Sequence, residues 1–337
     1  MATIKSMIKK IVFKLLFPNS NPTLEQVFIK EAIRFWRLTS LYNASHHTDE
    51  DMEKMQYAIL RENHVIEKGM SMRNPRKGFG QEKVKNLLEH LERYETLFGK
   101  TNKSFLQYPL STILSYIDYT EKQGVNIDDI KARFSKLEKN VQPIDLSIHA
   151  GVKKVTKEEI QSKCNADFES LLYSRHSIRY FSSVSPDKNQ IIKALELAQR
   201  TPSACNRQGW KTHVFEGEKS IELMKWQGGC RGFEDELKHS ILVTANLKAF
   251  LYYEVHQVYV DGGLYAMNLI NALHSLGLGC IPLSCGFESW KLQQLKDFGI
   301  PENEVPIMII AFGNLANEFN VAISTRKPID VTNTFHS

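Results

Sequence analysis

The sequence predicts an α+β chain: an all-α N-terminal half, then a half in which short strands alternate with helices. Three observations carry that expectation. From residue 22 to about residue 140, apolar residues recur at helical spacing and few stretches alternate. In the second half, KTHVFEG (211–217), SILVTANL (240–247) and VPIMIIAFG (305–313) are short, β-branched-rich runs that end in Gly or polar residues. Between those runs lie segments with helical period and recognisable start signals. A chain of 337 residues is long enough for two ordinary domains of ~150 residues each.

Composition narrows the class further. Hydrophobic residues make up 42% and charged residues 24%, which excludes a disordered chain. No apolar run approaches the ~20 residues that span a bilayer. The net charge is +5, and Lys5, Lys9, Lys10 and Lys14 all precede the first acid, Glu25. The remainder is nearly neutral, so a broad nucleic-acid footprint is not expected. Cys164, Cys205, Cys230, Cys280 and Cys285 are odd in number and form no CxxC pair, which suits a reducing cytoplasm and no zinc site.

Taken in order, residues 1–21 form the first unit. TIKSMIKKIVFKLLF (3–17) places Ile4, Met7, Ile8, Ile11 and Leu15 on one helical face, flanked by lysines. Two readings stay open: peripheral contact with an anionic membrane surface, or packing on protein. Residues 22–150 form the all-α unit. Thr48 is placed to cap a helix that begins at the acids Asp49, Glu50 and Asp51 and stops at Gly69. QEKVKNLLEHLERYETLF repeats the pattern with Val84, Leu87, Leu88, Leu91 and Tyr94. The polar stretch from Asn140 to Lys163 reads as a connection. A third unit covers residues 165–337. In it Ser185 and Pro186 open one helix, and VDGGLYAMNLINALHSLG (260–277) is a mostly apolar one.

Three segments of this half group side chains suited to chemistry. Ser174-Arg175-His176-Ser177-Ile178-Arg179 packs forked cationic donors beside hydroxyls, a set that suits phosphate oxygens or a solvated turn. Thr201-Pro-Ser-Ala-Cys-Asn-Arg-Gln-Gly-Trp210 offers Ser203, Asn206 and Gln208 to a heterocycle edge, or is an ordinary helix-to-strand loop. LGLGCIPLSCGF (276–287) ends the apolar helix and enters a turn, where Gly279 and Gly286 permit close approach to a ligand. No GxGxxG follows a strand, so a Rossmann dehydrogenase is excluded.

In this order the segments resemble the nitroreductase superfamily of FMN-dependent oxidoreductases. RHSIR is similar to that family's R-x-S-x-R/K opening, and TPSACNRQGW to its PS-x-x-N-x-Q-P-W signature, with Gly209 where proline is usual. DGGLYAMNLINALHSLGLGC is similar to its dimer-core helix, and the closing IPENEVPIMIIAFGN strand and Arg326-Lys327-Pro328 to its tail. The resemblance implies a sheet flanked by helices, in a homodimer with FMN at the interface. It implies that Arg175, Ser177 and Arg179 hold the FMN phosphate, ribityl chain and pyrimidine edge, with His176 beside them. Arg326 completes the phosphate site, and Ser203, Asn206 and Gln208 line the flavin across the interface. The turn Ser284-Cys285-Gly286 sets a backbone N–H near flavin N5, with Cys285 as a small packing residue.

The same resemblance implies hydride transfer from NAD(P)H and ping-pong reduction of a small organic acceptor, with no obligatory catalytic side chain. Other flavin chemistry (dehydrogenation, dehalogenation, flavin breakdown) and a non-catalytic scaffold are the alternatives. Only about 50 residues separate Trp210 from Val260, where larger members insert covering helices, so QGGCRG (227–232) with Arg231 reads as a remnant. The helical half is then expected to serve as the lid. Its H-x-x-E-K-G (64–69), followed by R-x-G-F-G, is similar to an extension on nitroreductase-like proteins of bacterial surface-polysaccharide gene clusters. His64 and Glu67 share a helix face, and without further ligands they hold no metal.

Overall fold

The computed structural model describes residues 29, 32–33, 50–141, 150–164, 166–251, 254 and 256–336. The basic segment 3–17 and Thr48 lie outside the described residues.

Residues 50–141 contain four α-helices: α1 (Met52–Met70), α2 (Gln81–Phe98), α3 (Gln107–Glu121) and α4 (Asp128–Val141). Their apolar stripes meet in one core built on Ile59, Ile66, Leu87, Leu91, Ile113, Tyr116 and Phe134. The cap of α1 is Asp51, whose carboxylate accepts from Lys54 N at 3.0 Å. Gly69 does not end this helix, which runs on to Met70. A Cβ at Gly69 would lie 2.2 Å from the Phe79 ring, so close packing, not termination, requires glycine there.

The polar stretch after α4 is not only a connection. It contains β1 (Val152–Thr156) and α5 (Lys157–Cys164), and β1 pairs antiparallel with a strand at the far end of the chain. Then come α6 (Phe168–Ser174), α7 (Lys188–Ala198), β2 (Trp210–Glu216), α8 (Glu218–Gln227), β3 (His239–Asn246) and α9 (Gln257–Ser275). The chain continues through β4 (Leu278–Ser284), β5 (Glu304–Asn314) and β6 (Glu318–Ala322). Asp187, not Ser185, caps α7, in a capping box closed by Gln190.

The main sheet is antiparallel in the order β2-β3-β5-β4, and β1 pairs with β6 beside it. Ile241, Val243, Ile310 and Phe312 point to α7 and α9. Leu242, Ile309, Ala311 and Ile281 point the other way, towards Leu223 and Met224 of α8. Burial on both faces is why β3 and β5 read as continuous apolar runs rather than alternating ones. β4, read from sequence as a turn, is a strand at the sheet edge. Among the described residues, no helix is long and apolar enough to cross a membrane.

Candidate functional site

After α6 the chain runs extended along β4 and β5. Ile178 N donates to Cys280 O at 3.0 Å, and Ser182 N to Asn314 O at 2.8 Å. Gly279 makes that approach possible: a Cβ there would meet Leu315 at 2.9 Å and Ile178 at 3.1 Å. Its missing side chain thus serves packing of this segment rather than approach to a ligand.

The pairing fixes where the cations point. Arg175, His176 and Ser177 line one wall of a cleft of about 650 Å³, and Ser324, Thr325 and Arg326 line the facing wall. The two walls are some 150 residues apart in sequence, and β6 delivers the second. Ser324 holds a left-handed backbone, φ 54°, and its carbonyl accepts from Arg326 Nη1. Burial, and then the charges of Lys153 and Arg175, press the His176 pKa down to about 4, so its ring is neutral near pH 7. Behind this wall, Ser174 Oγ and His274 Nε2 lie 2.8 Å apart, both buried, and burial lowers His274 to about 4 as well.

Arg179 turns the other way and is 5% exposed. Its Nη1 donates to Ser71 Oγ, just past α1, at 3.0 Å, and its Nε has no partner. The helical region therefore reaches this segment directly. Lys68 of α1 donates to Gly229 O and lies 5.9 Å from the Phe233 ring centroid. Crowding by protein, then the charges of Arg179 and Lys68, lower the His64 pKa. Cys230 sits in the same cluster, its thiol pushed up to about 11 by burial and so uncharged. The 284–286 turn adjoins it, since Ser284 O accepts from Gln227 Nε2 at 3.1 Å. Cys285 is buried, with a thiol pushed up to about 12 by burial, and packs in the core.

Ser203, Asn206 and Gln208 are not in the 650 Å³ cleft. They form a strained loop at the start of α9, in which Cys205, Asn206 and Gln208 all have φ near +50°. Ser203 Oγ accepts from Gln208 N at 2.9 Å, and the buried Asp261 of α9 accepts from Ala204 N at 3.1 Å. Arg207 forms a two-pronged pair with Glu254, both contacts 2.7 Å. Sequence reasoning missed Asp261, Ser324 and Ser71. Of these only Asp261 left a signal, as a lone acid within an apolar helix.

Residues 172–241 match the Nitroreductase family. A protein of Archaeoglobus fulgidus, provisionally named NADH dehydrogenase/NAD(P)H nitroreductase, is 27% identical over 145 residues, 42% of this chain and 82% of that protein. A provisionally named nitroreductase of Exiguobacterium sibiricum, solved in complex with FMN, is 20% identical over 51% of this chain and 98% of its own, with a TM-score of 0.45. A provisionally named NAD(P)H:FMN oxidoreductase of Staphylococcus epidermidis is 20% identical over 51% of this chain and 96% of its own, TM-score 0.44. The matched span contains Arg175, His176, Ser177, Arg179 and the whole 203–208 loop, and by that match the chain carries a nitroreductase-family domain at residues 172–241.

Proposed function

We propose that this chain is an FMN-dependent oxidoreductase that takes hydride from NAD(P)H and reduces a small organic acceptor in ping-pong fashion. One observation carries the reading: Arg175, His176 and Ser177 meet Arg326 across a single cleft. The residues present fit the cofactor. Two guanidiniums and a hydroxyl suit a phosphate dianion, and the unpartnered, buried Nε of Arg179 suits an acceptor atom on a heterocycle edge.

In this reading Arg175 and Arg326 hold the phosphate and Ser177 the ribityl chain. Arg179 sets a fixed positive charge at the pyrimidine edge, where low exposure strengthens its field. Bound FMN supplies the two-electron chemistry. The neutral His176 adds a hydrogen bond rather than a third charge. The turn 284–286 presents backbone to the flavin from the Arg179 side.

The 203–208 loop belongs to a second half-site, which a homodimer brings to the partner's cleft. Tyr259, Val260, Leu264 and Met267 support that pairing, because they leave an exposed apolar stripe on α9, the helix whose Asp261 holds the loop. The helical region over residues 50–141 acts as the lid, in keeping with the contact of Ser71 with Arg179. The unit boundaries at 1–21, 22–150 and 165–337 then move slightly, since β1 belongs with β6.

The test is flavin affinity. Arg175→Ala and Arg326→Ala each remove a charge-assisted contact of ~1.5–3 kcal/mol, so FMN should bind about 10- to 150-fold more weakly. Equal affinity in both variants and the parent would place the phosphate elsewhere.

A further inference from the structure

The cluster between α1 and the 228–233 loop is not used by the phosphate cleft. Its cations are Arg179, 5% exposed, and the half-buried Lys68. Among the described residues neither forms an ion pair. Among the described residues, Lys68 donates to the carbonyl of Gly229 and stands over the Phe233 ring, and Arg179 donates to the hydroxyl of Ser71.

The nearby carboxylates are committed elsewhere. Glu67 accepts from Gly151 N at 3.0 Å, from Tyr108 Oη at 2.9 Å and from the backbone of Ser324. Glu234 accepts from Gly232 N and Phe233 N. The Cys230 thiol is neutral, and the lowered pKa of His64 leaves its ring neutral too. Burial itself opposes the charge on Lys68. Arg179 feels the charge of Glu67, but Lys68 is half-buried with no ion pair among the described residues, and a desolvated cation without a counter-ion is costly unless an anion joins it.

Three separate segments build this spot: α1, the strand-like run at 177–181, and the loop after α8. It adjoins the turn at Ser284 rather than the wall at Arg326. We propose that Lys68 of the helical region, beside the Arg179 that the flavin reading gives to the pyrimidine edge, is an anion-recognition site that selects an electron acceptor carrying a carboxylate, sulfonate or phosphate group. This rests on the flavin reading for the acceptor's role, but not for the binding of the anion. His64, one turn before Lys68 on α1, offers a neutral ring to the same ligand.

The experiment uses the full chain and a matched pair, 1,2-naphthoquinone-4-sulfonate and its neutral parent. KM for the sulfonate should be at least tenfold lower than for the parent. Lys68→Met should erase that preference while leaving KM for the parent within about twofold, and Lys68→Arg should restore it. In parallel, calorimetric titration with naphthalene-2-sulfonate, which is not reduced, should show binding in the parent protein that Lys68→Met weakens about tenfold, ~1.4 kcal/mol. Turnover with no preference in the parent protein overturns the proposal whether or not the variant folds, and leaves the flavin reading standing. Lys68-dependent sulfonate binding in a protein that NAD(P)H does not reduce sustains the anion site and removes the flavin reading. Sulfonate binding that is equal in Lys68→Met and the parent overturns the anion site.

Discussion

The backbone N–H of Gly151 donates to Oε1 of Glu67 at 3.0 Å, which ties the start of β1 to the middle of the helical region. The same carboxylate accepts from Tyr108 and from Ser324, two residues before Arg326. Burial raises the Glu67 pKa and these three donors oppose it. Glu67 thereby couples α1 to the turn that presents Arg326 to the cleft.

Glu67→Gln keeps the shape but leaves one oxygen where two accepted. At least one buried donor then loses its partner, at a cost of ~1–3 kcal/mol. The unfolding free energy should fall by that amount, and FMN affinity should fall with it because the Ser324 turn loosens. A variant that loses stability yet binds FMN as tightly as the parent would separate Glu67 from the cleft.

The α9 stripe gives a second prediction. Leu264 is 47% exposed, so Leu264→Lys costs the single chain little. In a dimer that buries the stripe, the lysine is desolvated without a partner. Light scattering should show a monomer, and the flavin should be lost with the partner's 203–208 loop. A dimeric Leu264→Lys protein would put the interface on another face.

A third prediction concerns pH. His274 and His176 lie at about 4 in the folded chain, against an ordinary 6.5. Between those values the unfolded chain holds more protons, so stability falls as pH drops from about 6.5 towards 4. For the buried His274 the loss is about 3 kcal/mol when complete. Urea midpoints at pH 7.5 and 5 should show the decline, and His274→Gln should reduce it, leaving the share of His176. A wild-type midpoint that does not move between these pH values contradicts the burial of a neutral ring beside Ser174.

What could be read from sequence follows from where each element packs. β3 and β5 stood out because the centre of the main sheet is covered on both sides, which demands unbroken apolar runs, whereas the edge strand β2 buries only Trp210 and Phe215. β1 and β6 form a two-stranded pair with one buried face, and VKKVT carries too little apolar residue to announce a strand. β4 was hidden by Gly279 and Pro282, and Pro282 is tolerated because β4 is an edge strand. The grouping of Arg175 to Ser177 with Arg326 follows from motif order, but the turn of Arg179 towards Ser71 does not. Only the placement of α1 over residues 177–181 makes the helical region part of that environment.

The proposed function requires that this chain hold FMN and that NAD(P)H reduce it. Its most direct test is the visible spectrum of the purified full-length protein, recorded anaerobically before and after NADPH and then NADH. A flavin spectrum, native or after adding FMN, that bleaches with at least one of the two nucleotides is the predicted result. A colourless protein that takes up no FMN, or a bound flavin that neither nucleotide bleaches, would contradict the account.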